Sequence, residues 1–226
     1  GDHRDLHLSL RRQRQMCIRD RFLAIPLILV MAMGQMMVII CRHVDISIGS
    51  ILAFSAIVIG LLYIQFPGLS LWLSLIITAF VGLVMGLING IIVTRFNVHS
   101  IIVTLGTLSL YRGLVFIVSG GRQIDRNDIP EHVVSFSQTS FLFSIPGILI
   151  FSAIIVVITH LVMRHSVLGR EIYATGSNPV AAHLKGINVT KVTLFCFGIC
   201  GMLAGVAGLF YASRFGYVNP GVTGVG

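Results

Sequence analysis

Residues 42–50 read RHVDISIGS, and they fall where one long hydrocarbon run, Phe22 to Cys41, gives way to another, Ile46 to Ile64. A bilayer core takes about 20 apolar residues per helix and accepts an isolated charge only at high cost. An arginine, a histidine and an aspartate between two such runs therefore mark a membrane boundary. Four further windows of the same kind follow: Ser70 to Thr94, Val98 to Val118, Phe141 to Met163, and Val192 to Ala212. The expected fold is all-α, a polytopic transmembrane helical bundle with six spans visible.

Composition agrees with that reading. Of the 226 residues, 55% are hydrophobic and only 11% charged, so lipid must form part of the solvent. The net charge of +8 does not point to nucleic acid, because the basic residues stand at the ends of apolar runs and form no polar face. Cys17, Cys41, Cys196 and Cys200 include no CxxC pair, and the last two, four apart inside an apolar run, read as small hydrophobes. Neither a cofactor nor a metal site is indicated.

Charge placement orients the spans. Residues 164–191 carry Arg164, Arg170, Lys185 and Lys191 against Glu171 alone, whereas 119–140 carry Arg122 and Arg126 against Asp125, Asp128 and Glu131. The positive-inside rule makes the first loop cytoplasmic and the second external. Arg42 and Arg95 then also fall inside, and the turn at 65–69 outside. Residues 1–21 break the pattern, with six arginines on the outer side and a QMCIRDR string that resembles translated adapter sequence. We expect them to be foreign or non-native, and residues 22–226 to be a transmembrane domain incomplete at both ends.

Catalytic motifs are missing. ATP hydrolysis needs a GxxxxGK loop followed by Ser or Thr, and the two lysines, Lys185 and Lys191, stand in no such loop. HExxH and GxSxG are absent too, and no acid lies in mid-span to serve as a proton relay. Moving a solute is the natural task of such a bundle; the chain is not expected to be an enzyme. Glycines at 82, 86 and 90, and at 201, 205 and 208, mark faces where helices can approach closely.

Two stretches carry more. In the fourth span Ser100, Thr104, Thr107 and Tyr111 recur at i, i+4, i+7 and i+11, which stacks four hydroxyls on one helix face. Such a face can hydrogen-bond a polyol without net charge, or its hydroxyls can bond back to their own helix. Asn89 and Asn97 are weaker candidates for the same route. Arg112, toward the outer end, either snorkels to the headgroups or holds a partner. In the cytoplasmic loop 164–191, Asn178, Pro179 and Gly186 read as N-cap, first helical position and stop. The short helix they enclose lines up Val180, Leu184 and Ile187, an apolar edge that packs on the protein itself or in a partner's groove.

These stretches, DISIGS at 45–50, GLINGIIVTRF at 86–96, TLGTLSLYRG at 104–113 and GREIYATGSNPVAAHLKGI at 169–187, resemble the permease subunits of bacterial ABC importers for simple sugars, the group that transports ribose, xylose, rhamnose and autoinducer 2. The resemblance implies a larger permease fold in the cytoplasmic (inner) membrane, contacting lipid on its outside. Implied partners are a second permease chain, identical or not, a periplasmic or surface sugar-binding protein, and cytoplasmic ATP-binding subunits. Those subunits would grip the loop through Glu171, Gly176, Asn178, Pro179, Ala181, Ala182, His183, Leu184 and Gly186. Asp45, as N-cap of the second span with Ser47 and Gly49 beside it, would form a hinge, and Arg42 is close enough to pair with Asp45. The alternatives are an ion-coupled secondary sugar carrier and a membrane scaffold or receptor subunit that transports nothing.

Overall fold

The computed structural model describes residues 24–138, 140–142 and 145–221. The expectation of a foreign segment at 1–21 lies outside the described residues. Among the described residues, five helices are long and apolar enough to cross a membrane: α2 Ile48–Gln65, α3 Leu71–Phe96, α4 Ser100–Ser119, α6 Gly147–His165 and α9 Val189–Phe215. A shorter apolar helix, α1 Ala24–Ile40, precedes them. Between α4 and α6 lie α5 Glu131–Gln138 and two short strands, and between α6 and α9 lie α7 Val167–Ser177 and α8 Pro179–Leu184.

The bundle is built around α9. In its most apolar window 78% of residues are buried, against 28% in α3, α4 and α6. Glycine makes this possible. Along the α3–α9 crossing, Gly82 and Gly86 face Gly201 and Gly205 so closely that a Cβ on Gly82 would overlap the Gly201 carbonyl oxygen. On α1, a Cβ at Gly34 would lie 2.8 Å from the Cα of Cys200. Lipid tails are as apolar as leucine, so backbone approach and dispersion hold these helices together. The opposite face of α3, with Trp72, Ile76, Phe80, Val84 and Ile88, is exposed and suits hydrocarbon.

Each end of the bundle gathers one sort of loop. At one end the side chain of Arg42 reaches Gly176 and Ser177, and Val44 meets Ser100, which brings the basic loops together. At the other, His132 bonds the Leu69 carbonyl at 3.0 Å, and Ile124 bridges Val218. Ser137 donates to the Ser213 carbonyl and Ser213 to that of Val133, which ties α5 down onto α9. The loops that charge assigned to one side thus meet at one end.

Two boundaries differ from expectation. The apolar run from Phe141 does not begin as a helix: Ser140–Leu142 (β1) and Ile145–Pro146 (β2) pair antiparallel, and α6 starts at Gly147. Pro146, extended at ψ 140°, biases the residue before it toward extended backbone, and hydropathy alone cannot register that. Residues 164–191 hold two helices where one was expected. Ser166 opens the extra one, its hydroxyl accepting from the Gly169 amide at 3.0 Å.

Candidate functional site: a buried polar junction and the helix pair beside it

Residues 42–47 do not lie flat at the membrane boundary; they turn into the bundle. Asp45 is only 2% exposed. Its Oδ1 accepts from the Ser47 amide at 2.9 Å and from the Ser47 hydroxyl at 2.7 Å. Its Oδ2 has one longer contact, 3.4 Å from the Asn89 side-chain nitrogen, which also donates to the Ser47 hydroxyl at 2.7 Å. The single hydroxyl proton of Tyr111 is directed to the Met85 carbonyl at 2.9 Å, with the Asn89 Oδ1 as the longer alternative acceptor at 3.2 Å. The Gln35 amide brackets the Asp45 backbone, donating to its carbonyl and accepting from its N–H, both at 3.3 Å. With the Cys200 thiol also within electrostatic reach, α1, the start of α2, α3, α4 and α9 all converge on this one residue.

The expected cap is therefore corrected. Ser47, not Asp45, is the N-cap of α2, and Asp45 acts one step earlier by holding the Ser47 amide. The Arg42–Asp45 pair does not form either. Arg42 turns away, with Nε donating to the Gly176 carbonyl at 2.6 Å and Nη2 to that of Ser177 at 2.7 Å. Among the described residues no cation pairs with Asp45. Burial pushes its carboxyl above the usual carboxylate range, against the weaker pull of the Ser47 and Asn89 hydrogen bonds. Burial also lowers His43, with a further push from His99.

The hydroxyl face of α4 belongs to this junction. Ser100, Thr104, Thr107 and Tyr111 are all buried. The Ser100 hydroxyl accepts from the Val44 amide at 3.1 Å, and Thr104 donates to the Ser100 carbonyl at 2.9 Å. Thr107 reaches the Thr104 carbonyl at 3.3 Å. Ser100 and Tyr111 thus reach other segments, whereas Thr107 and the shorter bond of Thr104 run back to carbonyls of α4 itself. Asn97 stands apart, exposed, with φ 51° as the left-handed C-cap of α3. Gly49 lies in the first turn of α2 with open space around it. Arg112 is exposed and pairs with none of the described residues.

A second group is the helix pair α7–α8. Asn178 caps α8 as expected, its Oδ1 accepting from Val180 at 3.0 Å and Ala181 at 3.1 Å. Pro179 follows, and Gly186 ends the turn at φ 82°. Ala182 is buried, Ala181 and Glu171 are half-buried, His183 is exposed, and Val180 and Leu184 stand 71% and 82% exposed. Gly176 does not face outward: a Cβ there would overlap the Ile40 carbonyl. Replacing Asn178 with alanine is expected to cost about 1 kcal/mol of α8. Faster amide exchange across 180–184, with α9 unchanged, checks it.

Sequence reasoning missed the partners of Arg42 and the inward turn of Asp45. Neither leaves a periodic signal; the one cue was charge next to a long apolar run.

The family described as branched-chain amino acid transport system / permease component matches residues 19–226. The autoinducer 2 import system permease protein LsrC of Yersinia enterocolitica serotype O:8 / biotype 1B is 36% identical over 205 residues, covering 91% of this chain and 55% of that protein. The protein of the same name from Yersinia pseudotuberculosis serotype O:1b (strain IP 31758) is 34% identical over 205 residues, 91% of this chain and 57% of its own length. The chain thus spans little more than half the length of these relatives. No solved structure matches it.

Proposed function

Because this chain belongs to the family of branched-chain amino acid transport system permease components, we propose that it serves as the membrane-spanning permease subunit of an ATP-driven ABC importer. The cargo is a monosaccharide or similar small polyol, and relatives named for autoinducer 2 make that signal the first ligand to test. ATP is hydrolysed by separate cytoplasmic subunits, a periplasmic or surface protein delivers the cargo, and a second permease chain completes the passage.

The observation that carries this reading is α8. A six-residue helix cannot stand alone, yet this one is capped at its start, seated through buried Ala182, and turns Val180 and Leu184 outward on the basic side. An apolar edge held out by a rigid seat suits a groove on another protein. A Leu184→Arg variant should insert normally and lose about tenfold in uptake, the ratio that about 1.4 kcal/mol of lost docking gives. Co-purification of an ATPase with the wild type, and less with the variant, would support the reading. Undiminished uptake in the variant would sink it.

One observation favours an ion-coupled carrier instead, namely the buried acid at Asp45. Collapsing the ion gradients while ATP persists separates the two: the importer keeps working and the carrier stops.

A further inference from the structure

The carboxyl of Asp45 stands among neutral groups. From α3 it meets Asn89; the Tyr111 phenol of α4 and the Cys200 thiol of α9 lie within electrostatic reach, and the Gln35 amide of α1 holds the backbone of the same residue. On its own loop, Arg42 is committed to α7, and His43 leans on the Phe197 ring with centroids 5.8 Å apart. A full negative charge at 2% exposure would have only hydrogen-bond donors to stabilise it. Those donors are shared unevenly, because Oδ1 takes both short contacts and Oδ2 keeps the single 3.4 Å one.

We propose that Asp45 is a proton-binding site, with the proton on Oδ2, and that its occupancy keeps the five-helix junction packed. Loss of the proton places an uncompensated anion between residues 42–47 and α3, α4 and α9, and loosens that contact. Arg42 belongs to the same loop and holds the end of α7, so the proton also biases the position of the cytoplasmic helix pair. The site does not depend on which solute the chain carries or on how transport is driven.

The sign follows from burial, the largest influence on this carboxyl, which raises its affinity for the proton in the folded state. Stability is then greatest in acid and declines as pH rises through the folded-state value. The test compares the purified chain in lipid nanodiscs with its Asp45→Asn variant, an isostere of the protonated acid. The wild-type Tm should fall by roughly 3 °C or more from mildly acidic to mildly alkaline pH, while the variant stays flat. In difference infrared spectra the wild type should show a carboxylic C=O stretch at mildly acidic pH that fades as pH rises and that the variant lacks. Parallel pH profiles, or no such band, would overturn the proposal. Should Asp45→Asn not fold, Asn89→Ala replaces it. Removing a donor to the anionic form must move the midpoint to higher pH, and an unmoved midpoint would equally overturn the proposal.

Discussion

A Gly201→Leu variant is expected to yield no folded bundle. The Cα of Gly86 would lie 2.7 Å from a Cβ at this position and its amide nitrogen 2.8 Å, and the Gly82 carbonyl would overlap it. All three obstacles are backbone, which cannot rotate aside as a side chain can. The added side chain must push α3 away from α9, and the close contacts at Gly82 and Gly205 separate with it. Overpacking a tight core costs typically 1–3 kcal/mol where neighbours can adjust, and the top of that range or beyond is expected here. Size-exclusion profiles in detergent should show aggregate in place of the wild-type peak. Gly49→Leu is the control, because nothing lies within 4 Å of a Cβ there. A monodisperse Gly201→Leu protein with wild-type Tm would mean that the crossing is looser than described.

The second large effect is expected at Arg42. Its backbone is left-handed, at φ 65°, a conformation that glycine adopts freely. Its side chain forms two charge-assisted bonds to the last carbonyls of α7, where the helix dipole also favours a cation. Arg42→Gly removes the bridge at a position whose left-handed backbone glycine adopts without strain, so any loosening of α7 is assigned to the lost bridge. Discounted for solvent exposure, the bridge contributes about 1–2 kcal/mol to seating α7, roughly a tenfold change in the seated fraction. Amide exchange in 167–184 should quicken by about that factor, and uptake should fall with it, while α3 and α9 keep wild-type protection. Unchanged exchange would show that Gly176 against Ile40 seats α7 without help.

Some of this architecture was legible before any coordinates. Long apolar runs specify spans because lipid demands them, and the spacing of Gly82, Gly86, Gly201 and Gly205 showed where helices could meet. The caps of α8 were readable because Asn178, Pro179 and Gly186 each act locally. Other features depend on contacts distant in sequence. Periodicity put Ser100, Thr104, Thr107 and Tyr111 on one face but could not say which way the face points, since neighbours decide that. Asp45 read as a boundary residue because the chain around it looks like a loop, and only the convergence of α3, α4 and α9 draws it inside. The start of α7 at Val167 was hidden for another reason. Its glycines lower helix propensity, and tertiary contacts at Met163 and Ile40 require them.

The enclosure of α9 bears on the order of biosynthesis. Ribosomes release the amino-terminal helices first, so α1, α2 and α3 reach the bilayer before the element that they surround exists. Until it emerges, the notches at Gly34, Gly82 and Gly86 are open to acyl chains, and assembly proceeds by expelling lipid from them. Packing around α9 therefore waits until that helix is made, and a ribosome stalled before Val189 would leave α2, α3 and α4 in contact with one another but without the helix that they surround.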